Sequence, residues 1–466
     1  MQHREVKSRK VEIREDQTIK QMHKKRIVMI VVAHAALTLS FAAAQAQEQS
    51  PRLVEEHYRR AKSLAQHGEF DRAIGEFDKA IGISPRLAAA WTGRGQANFL
   101  KGDIERAIAD FETAIKLDPR QSEAYYGRGN IRQSQGEMDN AMADFNRAIE
   151  LNPRFVEAYI NRGKLRHGRG DLDGALADYN KAIKHGADSS AASSSRSYLV
   201  SASNPILALA FNNRGNVYLG KGDIKRALAD YDRAIEANPR LSLAYHNRAA
   251  IRLRGSALRG AMADAERTLA LDPQLAEAWI IRGTIRHAAG NLEEALADLN
   301  RAIELDPRNA AAFLNRGNVW YDKGRFEEAI VDNDRVIALT PGAMQPWFNR
   351  GNSRQAKGDY AGAVSDFTRA IELDPRSAIA YNARGNARRK GGDLAGAMND
   401  YNQALIIDPQ CALALLNRGL GYLQQGRETE AQRDFDQCLK ADPMLKAKLN
   451  AVLGEIREKL GSRVLR

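Results

Sequence analysis

The chain has 466 residues, 44% hydrophobic and 27% charged, an ordinary composition for soluble protein whose length alone accommodates two to four globular domains. Its formal charge of +12 comes from 70 Lys and Arg against 58 Asp and Glu, but residues 1–46 hold nine of the bases and four of the acids. The remaining 61 bases and 54 acids leave +7 over a long chain with no strong basic block, which argues against a nucleic-acid partner.

The N-terminus has the pattern of an export signal. His23, Lys24, Lys25 and Arg26 precede the apolar run IVMIVVAHAALTLSFAAA, residues 27–44, and Ala44-Gln45-Ala46 offers a small-x-small cleavage site before Gln47. Residues 1–46 are therefore expected to be a signal peptide, with translation starting at Met1 or at Met22, and the mature chain to be exported to the bacterial periplasm without stable membrane insertion. The alternative is a membrane anchor through residues 27–44, nearly long enough to span a bilayer but weakened by His34, Thr38 and Ser40.

From residue 52 onward prolines mark a period. Pro85, Pro119 and Pro153 are followed by Pro239, Pro273, Pro307, Pro341, Pro375, Pro409 and Pro443, every step being 34 residues except one of 86, which is two periods plus 18. The chain thus reads as eleven repeats, four over residues 52–187 and seven over 206–443, separated by the Ser/Ala-rich insertion 188–205, which lacks an apolar stripe and is expected to be a flexible loop. Residues 444–466 place Leu445, Leu449, Val452, Leu453, Ile456 and Leu460 at helical spacing, as a capping helix and tail would.

With the closing proline numbered 32, position 20 is Ala in all eleven repeats and position 8 is Gly or Ala throughout. Small residues there let two helices approach, while aromatics fill the adjacent space at position 4, as in Trp91 and Trp347, and at position 24, as in Phe111 and Phe367. Gly at position 15, such as Gly102, suits a left-handed helix end. The proline stops the second helix through the residue before it.

Units such as WTGRGQANFLKGDIERAIADFETAIKLDP resemble the tetratricopeptide repeat (TPR) family over about residues 52–443. The resemblance implies an all-α fold, a TPR α-solenoid of antiparallel helix pairs stacked into a right-handed superhelix, with first helices lining a concave groove. The sequence departs from the family at position 7, where Arg replaces the common apolar residue in every repeat, from Arg60 and Arg94 to Arg418. Sixteen residues later stands an acid, Glu76 in the first repeat and Asp in the others. Positions 7 and 23 flank the hairpin turn, so an internal Arg-carboxylate pair is favoured over an arginine ladder for polyanions.

Asparagine recurs at position 6, in Asn161, Asn213, Asn247, Asn315, Asn349 and Asn417, and at position 9, in Asn130, Asn216, Asn318, Asn352 and Asn386. The two positions share one helix face, and an amide can pair with the backbone of an extended peptide without demanding a particular side chain. The pattern resembles the asparagine-lined groove of the TPR region of O-linked N-acetylglucosamine transferase, although no transferase domain accompanies it. In repeats eight and nine Tyr321 and Phe348 are placed to add apolar contact beside four such amides. The opposite reading is that the amides satisfy local or neighbouring-repeat contacts. The chaperone-tail carboxylate clamp of some TPR domains needs a Lys at position 5 of its first repeat, where this chain has Tyr58 and elsewhere no Lys.

No metal-ligand spacing, catalytic elbow or phosphate-binding glycine loop occurs, so no cofactor, metal or enzyme activity is expected. The expected function is a protein-protein interaction scaffold holding an extended polypeptide in its groove. The alternative is an accessory subunit of an envelope enzyme or polysaccharide-export complex. Cys411 and Cys438 share the last repeat, and the hairpin brings their ends toward each other, leaving open whether they are bonded.

Overall fold

Within each compact unit the 34-residue periods fold into helical hairpins, and the reasons are local. Where the first helix ends, glycine adopts positive φ, as at Gly102 (93°) and Gly358 (92°), a conformation that costs a residue with a Cβ. The second helix opens under a side-chain cap in several repeats: Asp103, Asp171, Asp359 and Asp393 accept from backbone N–H groups three residues on. The Asp or Asn before the closing proline bridges to the next repeat, as Asp306 accepts from Arg308 N at 3.0 Å and Asp374 from Arg376 N at 3.1 Å. The recurring Asp-Pro is thus a turn as well as a stop.

The computed structural model describes residues 51–193 and 204–454, with a few residues between 22 and 37. They divide into two compact units, Met1–Asp223 and Ile224–Arg466. The first contains α1 (residues 51–66), α2 (Phe70–Ile83), α3 (Ala88–Lys101), α4 (Ile104–Leu117), α5 (Ser122–Ser134), α6 (Met138–Leu151), α7 (Val156–Gly168), α8 (Leu172–Ser193) and α9 (Pro205–Gly220). The second contains α10 (Ile224–Ala237), α11 (Ser242–Arg254), α12 (Leu258–Leu271), α13 (Ala276–Ala288), α14 (Leu292–Leu305), α15 (Ala310–Asp322), α16 (Phe326–Leu339) and α17 (Met344–Lys357). It continues with α18 (Tyr360–Leu373), α19 (Ala378–Lys390), α20 (Leu394–Ile407), α21 (Ala412–Gln424), α22 (Glu428–Ala441) and α23 (residues 446–454). Among the described residues there is no strand, and no helix is long and apolar enough to cross a membrane. The cleavage site before Gln47 and most of residues 1–46 lie outside the described residues, as do residues 194–203, Ile456 and Leu460.

Within each unit successive helices pack as antiparallel pairs around small residues. The position 20 alanines, Ala107 and Ala363 among them, are 0% exposed. At position 8 the backbones are so close that a Cβ on Gly351 would lie 2.7 Å from Phe367 Cε1, and one on Gly129 2.7 Å from Phe145 Cε1. Core is therefore built hairpin by hairpin, with the aromatic of one helix seated where the other has no side chain.

One place differs from the sequence expectation, and one question it left open is answered. Residues 188–193, expected to begin a flexible loop, instead extend α8, which runs 22 residues where the other second helices run 14. Repeat four lacks the proline that stops its sisters, and its Ala-rich continuation carries the helix on. Cys411 and Cys438 are both free thiols, the first at the N-cap of α21 and the second buried on α22. Burial raises the pKa of both, which disfavours the reactive thiolate. At the C-terminus Leu449 of α23 is 4% exposed and packs with Leu445, Val452 and Leu453 against Leu416, Leu420 and Phe435 of the last repeat.

Candidate functional site

Nine of the eleven position 7 arginines are held inside the fold. Arg94, Arg128, Arg162, Arg248, Arg282, Arg316, Arg350, Arg384 and Arg418 each grip the position 23 aspartate of their own repeat, for example Arg128 Nε to Asp144 Oδ2 at 3.0 Å and Nη2 to Oδ1 at 2.8 Å. The aspartates are buried, and the hydrogen bond to Asp110 raises the Arg94 pKa above the ordinary guanidinium value. In seven of these nine the third guanidinium nitrogen reaches the second helix of the preceding repeat, as from Arg162 to Asn146 at 2.8 Å, Arg248 to Asp232 at 2.6 Å and Arg316 to Asn300 at 2.7 Å. Except for Arg418, which lies over Tyr422, each of these guanidinium groups also lies over the position 4 ring, 4.6 Å from the Trp91 centroid for Arg94 and 4.7 Å from Trp347 for Arg350. A cation so enclosed fixes hairpin and stack together and leaves no open ladder for a polyanion.

One partner escapes sequence reasoning. Arg132, Arg166, Arg252, Arg286, Arg354 and Arg388, at position 11, donate to the same aspartates at 2.7 to 2.9 Å, so in those repeats one carboxylate serves two arginines. The signal was present in the recurrence of Arg four residues after Arg. In repeat one Glu76 bonds instead to Lys79 and His57.

The asparagines are half-buried and several hold repeats together. Asn161 donates to Asn130 Oδ1 at 2.7 Å and to the Tyr126 hydroxyl at 3.2 Å, Asn349 to Asn318 Oδ1 at 2.9 Å, and Asn417 to Asn382 Oδ1 at 2.9 Å. Asn213 accepts from Asn212, and Asn386 from Arg389. Asn216 and Asn247 lie half-buried on α9 and α11. Position 9 of one repeat thus meets position 6 of the next, a juxtaposition that only stacking creates.

Among the clefts of the described residues, one in each unit lies along the first helices of successive repeats. In the first unit a cavity of about 610 Å³ runs between α1, α3 and α5, lined by Tyr58, Lys62, Gln96, Leu100 and Glu123 with Phe77 at its floor. Leu100 is 54% exposed there, and burial, with the Glu123 charge adding to it, raises the Tyr58 pKa. The cleft is open because position 6 is Gly93 in repeat two: an added Cβ would lie 2.4 Å from Phe77 Cζ. That glycine, at a position where six other repeats carry Asn, was the sequence signal for it.

The second cavity, about 60 Å³, gathers Asn318, Tyr321, Asn349 and Asn352 of the predicted set around Gly317, Asn333 and Ser353. Asn315 and Phe348 are not part of it: Asn315 is half-buried beside it in sequence, and the Phe348 ring packs on Phe367 at a 5.5 Å centroid distance, where it supports the core. Among the described residues no group of His, Cys, Asp and Glu can hold a metal ion.

Profiles of the TPR repeat match residues 283–324, and profiles of the tetratricopeptide repeat match residues 58–122, 122–155, 156–184, 208–241, 348–412 and 412–443, together more than half of the chain. The chain belongs to the tetratricopeptide repeat family. No curated protein matches it. Among solved structures, a tetratricopeptide repeat protein of Parabacteroides merdae is 21% identical, with a TM-score of 0.44 over 53% of this chain and 97% of its own. Yeast Tom70 is 16% identical over 90% of this chain and 97% of its own, with a TM-score of 0.37. YrrB, described as a TPR protein with an unusual peptide-binding site, is 24% identical over 40% of this chain and 95% of its own, with a TM-score of 0.35. In this TPR chain nine of the position 7 arginines and several of the amides are engaged within the solenoid.

Proposed function

We propose that this TPR protein is a non-enzymatic scaffold that binds an extended polypeptide across its first-helix faces. The observation that carries the reading is the cleft of about 610 Å³, which crosses three successive first helices and combines an exposed Leu100 and the Tyr58 ring with Lys62, Gln96 and Glu123. Such a surface offers apolar anchorage, both charges and neutral donors in a row, which suits a chain with side chains of mixed character more than a compact small molecule. Selection from a random-peptide library on immobilised protein tests it: Leu100→Glu and Tyr58→Ala should reduce capture while the far-ultraviolet spectrum is unchanged. Equal capture by the variants would place the ligand elsewhere.

Export before binding is part of the same proposal. The basic cluster ahead of residues 27–44 and Ala44-Gln45-Ala46 support removal of the first 46 residues and residence in the periplasm. Mass spectrometry of the mature N-terminus should begin at Gln47, and an intact leader in the cytosol would refute export.

A further inference from the structure

At position 24, the second helix puts Phe111, Phe145, Tyr179, Phe367, Tyr401 and Phe435 against the position 8 glycine of the first, while repeats six and seven carry Ala265 and Leu299 there. Repeat eight has Asn333 there, 1% exposed. Its Nδ2 donates to Ala329 O at 2.7 Å, but its Oδ1 is buried without a hydrogen-bond partner. A buried acceptor left unpaired is costly and uncommon, and it asks for a donor from outside. The missing ring also leaves the cavity of about 60 Å³, roomier than the roughly 10 to 15 Å³ one water requires and too small for another ring.

The lining calls for a neutral donor. No charged side chain contributes to it, and the nearest carboxylate in sequence, Asp332, has both oxygens occupied by Arg316. Asn349 is occupied on both sides, donating to Asn318 and accepting from Gln345 Nε2 at 2.7 Å. Asn352, on the cavity wall, makes no side-chain hydrogen bond among the described residues and offers a donor and an acceptor. An ammonium would enter without a counter-charge, a carboxylate would face Asn333 Oδ1 with no proton between them, and an apolar group would leave that oxygen unpaired.

We propose that the cavity bounded by Asn333, Asn352 and Asn318 is a subsite for a primary carboxamide, the side chain of a glutamine or asparagine in a bound polypeptide. The inference rests on the polypeptide-binding reading and narrows it. The carboxamide N–H group donates to Asn333 Oδ1, and its oxygen accepts from an amide of the wall. Binding therefore selects one residue type at one register while the rest of the peptide is held less selectively.

Saturation-transfer NMR on the full chain with N-acetylglutamine methylamide, beside its methionine and glutamate analogues, tests the subsite. The glutamine probe should bind more tightly by about fivefold or more, as one buried hydrogen bond provides. The preference should vanish in Asn333→Phe, which restores the ring of the sister repeats, and weaken in Asn352→Ala, with helicity intact in both. Equal binding of the glutamine and methionine probes, or a preference that survives Asn333→Phe, overturns the proposal, as does a probe-soaked crystal with only water on Asn333 Oδ1. Peptide selection separates the two readings. Enriched peptides carrying Gln or Asn that lose this bias on Asn333→Phe support both, enriched peptides without the bias overturn the subsite alone, and no enrichment despite glutamine-probe binding overturns the polypeptide reading.

Discussion

Asp332 gives both carboxylate oxygens to Arg316, Oδ2 accepting from Nε at 2.9 Å and Oδ1 from Nη2 at 2.6 Å, across the two helices of one hairpin. The aspartate is 2% exposed, and repeat eight has Trp320 at position 11, so no second arginine shares it. This makes it the cleanest of the pairs to test. Arg316→Leu or Asp332→Leu alone should each cost on the order of 1 to 3 kcal/mol by stranding the partner, and the double variant less than the sum. Additive losses in urea unfolding would refute the coupling.

Ser256 has a φ of 58°, at the turn position where the ten other repeats have glycine with positive φ. A Cβ in that conformation costs roughly 1 to 2 kcal/mol, partly offset by glycine's greater freedom when unfolded. Ser256→Gly is expected to raise the melting temperature. A lower one would show that the serine side chain stabilises the turn.

Glycine-to-alanine changes should have opposite signs at two helical sites. A Cβ on Gly351 meets the Phe367 ring at 2.7 Å, whereas one on Gly75 meets nothing within 4 Å. Gly351→Ala should destabilise by about 1 to 3 kcal/mol, and Gly75→Ala stabilise by about 0.5 to 1 kcal/mol. Calorimetry of the two variants compares them directly.

Hydrogen bonds from Lys79 at 2.7 Å and His57 at 2.6 Å lower the Glu76 pKa to about 2. A carboxylate with a depressed folded pKa adds stability above its unfolded value of roughly 4.3, and that contribution is lost as pH falls through the folded value. Melting curves of wild type and Glu76→Gln should therefore differ most above pH ~5 and converge toward pH ~2. A gap that stays constant over this range would exclude the linkage.

What could be read from the residues alone was what one hairpin decides. The proline period, the Ala and Gly contacts, the glycine turn and the pairing of positions 7 and 23 all lie within one 34-residue unit, where separation along the chain translates directly into place. The overrun of α8 was legible in principle, since repeat four lacks its terminating proline, but Ser-rich composition pointed to loop.

The fate of the amides belonged to the tertiary structure. Nothing in the spacing of Asn130 and Asn161 says that they bond to each other instead of facing a ligand, because their meeting depends on how one hairpin stacks on the next. Asn333 shows the same limit from the other side. Its substitution for an aromatic is visible in the repeat pattern, but that one oxygen is left buried and unpaired beside a cavity follows only from the packing of α15, α16 and α17 around it. Sequence period specifies which residues share a hairpin, whereas solvation and partnership of a polar atom are set by every neighbour that surrounds it.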